Sequence, residues 1–325
     1  MFAGHIVAPS KIELIEVEEP QLSDKGGEIL FQPECACLCG SDMPFFTMNG
    51  EFDPPVIGHS LHEMIGSVID TNGSKFRPGD RVLAVPIYQV GFFERYVLTE
   101  ERAIPLADNI AEDIAMMAQP LGTVLYALRK LPNLLGKSVA VVGQGPIGQL
   151  FDLAVRNLGA RNIIGIDPIP ERLELSQKSG TTHRINPQES DPIETIKQIT
   201  NGAMVDVVIE AVGHQHQALN ECVGLVKKFG TLLYFGVPPT TIDDVRWGDV
   251  FRKNLTVITS VEPDFSLDFP LAMQWISEGR VDVSHLLTHR YPLSEIQKAY
   301  EHFRDKTDGS IKVLIEFPSW KHKTV

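Results

Sequence analysis

The feature that most constrains the fold of this chain is a glycine motif placed between a strand and a helix. An apolar run, Ser138–Val142, leads directly into Gly-x-Gly-x-x-Gly at residues 143–148. The next segment predicts a helix, since apolar side chains recur at helical spacing and would share one face: Ile147, Phe151, Ala154 and Leu158. A second apolar strand, Asn162–Ile166, is followed by Asp167. Strand, glycine turn, helix and a strand with a terminal acid together predict a dinucleotide-binding βαβ unit.

The glycines of this unit have separate physical roles. Gly143 allows a tight turn, Gly145 lets the backbone approach a pyrophosphate, and Gly148 lets the helix pack against the strand. The helix would begin at Pro146 and Ile147, and its unpaired N–H groups would face the phosphates. The sequence therefore predicts that residues 143–148 bind the cofactor.

Asp167 bears on the choice between NAD and NADP. Its carboxylate would accept hydrogen bonds from both adenosine ribose hydroxyls and would repel a 2′-phosphate. Arg172, five residues further on, would soften this preference if it lay beside the adenine or a phosphate. The sequence thus predicts NAD as the cofactor.

Composition narrows the class of protein and its partners. With 325 residues, 43% hydrophobic and 22% charged, the chain predicts two globular domains. The net charge of −13 argues against nucleic acid or an anionic membrane as a partner, and no apolar run approaches the ~18 residues that span a bilayer. Cys35, Cys37 and Cys39 alternate along one predicted strand and would point to one face. Neighbouring cysteines on one strand are poorly placed to form disulfides with one another. A cytoplasmic location is therefore expected.

Two patterns of secondary structure divide the chain. The first part predicts a small all-β barrel with strands at Lys11–Val17, Glu28–Gln32, Met64–Asp70 and Arg81–Val85. The middle alternates helices with strands at Val139–Val142, Ile163–Ile166, His183–Ile185, Val205–Glu210, Thr231–Phe235 and Leu255–Thr259, which predicts a doubly wound parallel sheet. The last part predicts helices at Leu271–Glu278 and Leu293–Phe303 and a strand at Ile311–Glu316 that would return to the first domain. The expected domains are residues 1–121 completed by 265–325, and residues 122–264.

A second group of polar residues follows the first long strand. Cys39, Ser41 and Asp42 lie there, and His62 and Glu63 precede the strand that begins at Met64. With the glycine unit, this pattern resembles the zinc-dependent alcohol and polyol dehydrogenases of the medium-chain dehydrogenase/reductase superfamily, near the sorbitol and threonine dehydrogenases. The resemblance covers nearly the whole chain and is also carried by residues 76–82, 119–121, 206–213 and 288–293. It implies the α/β fold class, with a Rossmann domain for NAD and a GroES-like β-barrel catalytic domain.

The resemblance also implies a role for each residue of this second group. Cys39 and His62 match the thiolate and imidazole ligands of a catalytic zinc, and Glu63 matches an adjacent acid that can ligate zinc in the polyol branch. Ser41 matches the hydroxyl that accepts the alcohol proton, and Asp42 matches the carboxylate that orients the histidine. A small alcohol or carbonyl substrate, one zinc per chain and a homodimer or homotetramer follow from the same resemblance. A secondary alcohol on a polar molecule is the favoured substrate.

The chain departs from the family pattern in four ways. The family's Gly-His-Glu is stretched over residues 58–63, so His59 is a second candidate ligand. Gln119 stands where relatives often carry a Glu or Cys ligand, and would instead bond a metal-bound water or the substrate. Pro44 replaces a histidine that passes the proton to solvent, so the relay would run from Ser41 through the nicotinamide ribose and water. The four-cysteine lobe of a structural zinc is missing, so no structural zinc is expected.

Two other functions fit the glycine unit. A zinc-free quinone- or enone-type NAD(P)H reductase of the same superfamily would lack the metal ligands, whose presence here argues against it. A non-catalytic dinucleotide-binding sensor would fit the departures just described. The sequence therefore predicts the reversible oxidation of an alcohol by hydride transfer to NAD, with these two alternatives.

Overall fold

The computed structural model describes residues 1–48, 55–213 and 217–318, which fall into two compact units. The first unit contains the described residues of Met1–Gln119, Asp264–Gly279 and the chain from Leu286 onward. The second contains those of Pro120–Pro263 and Arg280–His285. The sequence assigned all of 265–325 to the first domain, whereas 280–285 groups with the second unit. A hydrogen bond within the second unit helps to explain why residues 280–285 group there: His285 Nε2 lies 2.8 Å from Ser179 Oγ.

The described residues form fifteen strands and ten α-helices, numbered here along the chain. The strands are β1 Phe2–Ala8, β2 Lys11–Glu16, β3 Glu28–Cys37, β4 Glu63–Thr71, β5 Arg81–Ala84, β6 Tyr96–Thr99, β7 Ala103–Pro105, β8 Ser138–Val142, β9 Asn162–Ile166, β10 His183–Ile185, β11 Val205–Glu210, β12 Val226–Tyr234, β13 Thr256–Thr259, β14 Leu287–Pro292 and β15 Lys312–Glu316. The helices are α1 Met43–Thr47, α2 Glu112–Ala115, α3 Ala118–Leu128, α4 Pro146–Asn157, α5 Pro170–Ser176, α6 Pro192–Ile199, α7 Ala218–Leu225, α8 Trp247–Lys253, α9 Asp268–Ser277 and α10 Ile296–Asp305.

The second unit is built on a parallel sheet with the strand order β10-β9-β8-β11-β12-β13. This is the doubly wound order, in which the first strand of the unit lies beside its fourth. All of β8 is buried, as a central strand covered on both faces requires. The strands predicted for this part of the chain are present, and the predicted fold class is confirmed. In such a sheet, ligands bind at the carboxyl ends of the strands where the winding reverses, here at β8 and β11.

The first unit contains a mixed sheet with the order β14-β15-β3-β4-β5-β7, in which β6 also pairs with β3. The strand β15 runs antiparallel to β3, so a strand from the end of the described chain lies beside one from its beginning. A separate hairpin joins β1, which the sequence did not predict, to β2. The amphipathic helix α10 belongs to the core of this unit through the buried side chains of Ile296, Ala299, Tyr300 and Phe303.

One detail of the predicted strands is wrong. Cys35 and Cys37 lie on β3 and are buried, but β3 ends at Cys37 and Cys39 does not continue it. The chain turns there into a 3-10 helix at Gly40–Asp42, because the Cys39 backbone N–H donates to Asp42 Oδ2 at 2.7 Å. Separately, none of the helices in the described ranges combines the length and hydropathy needed to cross a membrane.

Candidate metal and dinucleotide sites

The register between β3 and β4 brings the predicted metal ligands together. Cys37 pairs with Glu63 across this antiparallel ladder. Cys39 follows β3 by two residues and His62 precedes β4 by one, so both extend beyond the same end of the strand pair. One ligand atom from each of Cys39, His62 and Glu63 lies within 4.8 Å of the other two. A thiolate, an imidazole and a carboxylate form a ligand set that Zn²⁺ accepts, with a fourth position left open.

Asp42 is completely buried beside this group and is held by two backbone amides. Its Oδ2 accepts the hydrogen bond from Cys39, and its Oδ1 accepts one from the Leu61 N–H at 3.2 Å. Oδ1 also lies 3.6 Å from His62 Nδ1. Burial disfavours the charged carboxylate, but the contacts with His62 and the Cys39 amide outweigh burial and lower the pKa of Asp42. Asp42 is therefore a fixed anion placed to orient the imidazole.

The imidazole of His62 is held between two acidic groups. Burial opposes its charged form, but Asp42 and the Cys39 thiol outweigh burial and raise the pKa of His62 well above its usual range. Its Nδ1 is buried without a hydrogen-bond partner among the described residues. The surroundings of His62 thus stabilise positive charge at the imidazole. A bound metal cation would supply that charge in place of the proton on the ring. The donors present fit a divalent metal such as zinc.

Lys312 is the residue of this region that sequence reasoning missed. Its ammonium is fully buried at the start of β15, contacts both carboxylate oxygens of Glu63 and donates to the Leu38 carbonyl at 3.2 Å. Burial disfavours the charged amine, but the charge of Glu63 outweighs burial and raises the pKa of Lys312. The signal in the sequence was one charge within the apolar run 311–315. The ion pair neutralises Glu63, so Lys312 would compete with a metal for its oxygens.

His59, the second candidate ligand, is not part of this group. Its Nδ1 accepts a hydrogen bond from the Val56 N–H at 3.1 Å, and its ring packs against Phe45 with the centroids 4.3 Å apart. Burial lowers the pKa of His59. The structure therefore brings His62, rather than His59, to Cys39 and Glu63.

Ser41 and the two other substituted positions, Pro44 and Gln119, lie on helical segments. Ser41 is partly exposed in the 3-10 turn Gly40–Asp42, directly after Cys39. Pro44 is buried in the first turn of α1, where a missing backbone N–H costs nothing. Gln119 is buried in the first turn of α3.

The glycine loop has the shape that its sequence predicts. Gly143 has a φ of +92°, which favours glycine. A Cβ on Gly148 would lie 1.8 Å from the Gly143 carbonyl oxygen, so close packing requires glycine there. Around Gly145 there is more room, since a Cβ would first meet Arg172 Nη1 at 3.5 Å. Helix α4 begins directly after Gly145 at Pro146, so its N-terminal amides lie beside this partly exposed loop.

Asp167 is tied to the same loop. Its Oδ2 accepts a hydrogen bond from the Gln144 backbone N–H at 2.7 Å, and its Oδ1 accepts one from Ile169 at 2.8 Å. Each oxygen has a second lone pair for another donor. The Arg172 side chain lies near Gly145 and interacts electrostatically with Asp167. The structure thus brings the glycine loop, Asp167 and Arg172 together after the carboxyl ends of β8 and β9.

Comparisons with known proteins show similarity to dehydrogenases. A family model described as zinc-binding dehydrogenase matches residues 146–278. The chain is 27% identical to the sorbitol dehydrogenase of Bacillus subtilis (strain 168), over 96% of this chain and 95% of that protein. It is 26% identical to the D-arabitol-phosphate dehydrogenase of Enterococcus avium, over 94% of each.

The fold agrees with a solved structure over nearly its whole length. The alcohol dehydrogenase TADH from Thermus sp. ATN1 matches with a TM-score of 0.87 at 26% identity, covering 97% of this chain and 99% of that one. The glycine loop has the form of a dinucleotide-binding turn, and the cysteine–histidine–glutamate group offers three ligands to a metal. The chain is thus an oxidoreductase that is similar, over nearly its whole length, to the zinc-dependent alcohol and polyol dehydrogenases of the medium-chain dehydrogenase/reductase superfamily.

Proposed function

We propose that this protein uses NAD(H) and one zinc ion per chain to interconvert an alcohol and its ketone or aldehyde. The zinc ligands would be Cys39, His62 and Glu63, and no structural zinc is expected, since the sequence lacks the four-cysteine lobe. The observation that carries the proposal is the convergence of these three ligand types within 4.8 Å. The relatives named for sorbitol and arabitol phosphate favour a secondary alcohol on a polar molecule as the substrate.

The residues near the metal group have distinct proposed tasks. Zinc would supply Lewis acidity toward the alcohol oxygen, and NAD would accept the hydride. Asp42 would hold the ring of His62 in one direction and keep a negative charge beside it. Ser41, in the turn after Cys39, would accept the alcohol proton. Pro44 has no titratable group, so water would carry the proton further.

Metal analysis tests this proposal most directly. In protein purified without chelators or an affinity tag, we expect about one zinc per chain, and little in Cys39→Ala, because a site of this kind depends on its thiolate. Elemental analysis of both proteins measures this. Cys222→Ala is the matched control, since it removes a buried thiol from the second unit and should retain the zinc. A wild-type protein that stays metal-free after zinc is supplied would contradict the proposal and favour the zinc-free reductase or the sensor.

Cofactor choice gives a second test. Asp167→Asn is expected to weaken NAD binding about tenfold and to reduce the preference for NAD over NADP, because a charged hydrogen-bond acceptor for the ribose is lost. Dissociation constants for both dinucleotides, measured by titration calorimetry, check this. Glu171→Gln removes an exposed charge on α5 nearby and should change neither constant. Equal effects of the two variants would contradict the assignment of Asp167 to the ribose.

The sheet of the second unit supports a proposed homo-oligomer. β13 is an edge strand with β12 as its neighbour. Apolar side chains on and beside it are exposed, namely Phe251, Val257 and Val261. An exposed apolar edge strand is a ready partner for another strand, so a dimer or tetramer joined at this edge is the expected state. The four cysteines are free thiols, which agrees with the expected cytoplasmic location.

A further inference from the structure

Glu210 is a buried acid at the carboxyl end of β11 that the proposed chemistry does not use. It is completely buried, yet both of its carboxylate oxygens accept hydrogen bonds from backbone amides. Its Oε1 accepts from the N–H groups of Val212 at 2.8 Å and Gly213 at 2.9 Å, and its Oε2 accepts from that of Gly236 at 3.0 Å. A buried carboxylate is unfavourable unless it is hydrogen-bonded. The three amides and the carboxylate therefore hold one another in place.

The three amides belong to two different loops. Val212 and Gly213 lie in the β11 loop (residues 211–213), which follows β11, and Gly236 lies in the β12 loop (residues 235–237), which follows β12. The backbones of the two loops are packed against each other, since a Cβ on Gly236 would lie 2.3 Å from the Gly213 nitrogen and 2.6 Å from Glu210 Oε2. Glu210 is thus a bridge, with one oxygen on each loop.

The β11 loop also borders the glycine loop. A Cβ on Gly143 would lie 2.9 Å from the Ala211 carbonyl oxygen and 3.0 Å from Val212 Cγ2. In a doubly wound sheet, a dinucleotide lies across the carboxyl ends of the strands, with one mononucleotide on each side of the point where the winding reverses. The glycine loop and Asp167 follow β8 and β9 and belong to the adenosine side. The β11 and β12 loops therefore lie on the side of the nicotinamide mononucleotide.

We propose that Glu210 is a positioning residue for the nicotinamide half of the dinucleotide, because it holds the β11 and β12 loops together in one arrangement. This inference rests on the proposed function, since it concerns the same cofactor. The loops also carry exposed apolar side chains beside the bridged backbone: Val212 is 37% exposed and Val237 is 44% exposed. Apolar side chains next to fixed polar groups are typical of a cofactor site. Glu210 itself is buried and acts through the backbone of the two loops.

The variant Glu210→Gln would release one loop and keep the other. A glutamine side chain has the same shape but only one acceptor oxygen, and its other terminal group is a donor. The oxygen is expected to face Val212 and Gly213, where it satisfies two amides, so the NH₂ group would face the Gly236 N–H. That N–H would keep only its longer contact with the Glu210 backbone carbonyl, at 3.2 Å. The β11 loop would therefore stay in place, whereas the β12 loop would lose its bridge.

Binding of NADH and of AMP, which lacks the nicotinamide half, tests this role. In Glu210→Gln we expect NADH to bind about 3- to 10-fold more weakly and AMP to bind within about twofold of wild type. Titration calorimetry measures both dissociation constants. Gly236→Ala should give the same pattern, because its Cβ would force the two loops apart while Glu210 stays intact. Unchanged NADH binding in both variants, or equal weakening of NADH and AMP, would overturn the inference.

Asp206→Asn is the matched control, because it removes an acid from the other end of the same strand. The Asp206 carboxylate accepts hydrogen bonds from the Ser138 N–H and Lys227 Nζ, and its loss should change neither dissociation constant. A weakening of NADH binding by Asp206→Asn equal to that by Glu210→Gln would overturn the inference, since any lost charge on β11 would then have the same effect.

Hydrogen exchange followed by mass spectrometry tests the bridge itself and needs no cofactor. In Glu210→Gln, peptides that contain the β12 loop should exchange several-fold faster than in wild type, whereas those that contain the β11 loop should not. Asp206→Asn should leave both unchanged. Unaltered exchange of the β12 loop in Glu210→Gln would overturn the inference. If wild-type protein binds neither NADH nor AMP, the proposed function fails, whereas hydrogen exchange still decides whether Glu210 holds the two loops together.

Discussion

Replacing Lys312 with methionine is expected to lower the free energy of unfolding by about 3–5 kcal/mol, because Glu63 would remain as a buried charge without its partner. The side chains of Lys312 and Glu63 are 0% and 1% exposed, and the ammonium contacts both carboxylate oxygens. Methionine keeps most of the length of the lysine stem, so the loss of packing should be small. Urea unfolding of metal-free protein at pH 7 measures the effect without a cation that could replace the ammonium.

Two further variants make this prediction specific. The double variant Glu63→Gln/Lys312→Met leaves no buried charge and should recover much of the lost stability, which a double-mutant cycle would report as coupling. Lys197→Met breaks an ion pair with Glu194 whose side chains are 46% and 62% exposed, and should cost less than about 0.5 kcal/mol. If Lys312→Met cost no more than Lys197→Met, the buried pair would not stabilise the protein as argued.

The fold of the second unit was predictable because its signals are local. A central strand such as β8 is apolar throughout, and a glycine turn marks where it ends. The position of residues 280–285 was not predictable in this way, since contacts such as that between Ser179 and His285 join residues far apart in the sequence. The hairpin strand β1 was missed, and it contains a histidine and a glycine among its apolar residues.

The same division between local and distant contacts holds for the candidate metal site. Cys39 and His62 were identified from short motifs, and the register of β3 on β4 then explains how they meet. Nothing local indicates that Lys312, 249 residues beyond Glu63, would be its ion-pair partner. That contact depends on β15 lying beside β3, a pairing that the sequence pattern suggested only as a return to the first domain.

Alanine substitutions at Gly148 and Gly145 should have different consequences, the first for the stability of the fold and the second for binding of the dinucleotide. Gly148→Ala is expected to destabilise the fold, because its Cβ would lie 1.8 Å from the backbone oxygen of Gly143, which cannot move without the loop. Overpacking typically lowers the free energy of unfolding by about 1–3 kcal/mol, and occasionally by more. Because this contact is very short and is made with backbone, we expect a loss at the upper end of that range. The better helix propensity of alanine returns only about 1 kcal/mol. Thermal and urea unfolding of this variant should therefore show a net loss of stability.

Gly145→Ala is the matched control within the same motif and separates folding from binding. Gly145 has a φ of −70°, which any residue adopts, and an added Cβ would meet Arg172 Nη1 at an ordinary 3.5 Å. Its stability should stay near that of wild type. NADH binding should nevertheless weaken about tenfold or more, because the methyl group would overpack the backbone where the pyrophosphate approaches it. If Gly145→Ala bound NADH as tightly as wild type, the result would contradict a dinucleotide at this loop. If Gly148→Ala were as stable as wild type, the result would contradict only the close packing of α4 against the glycine turn.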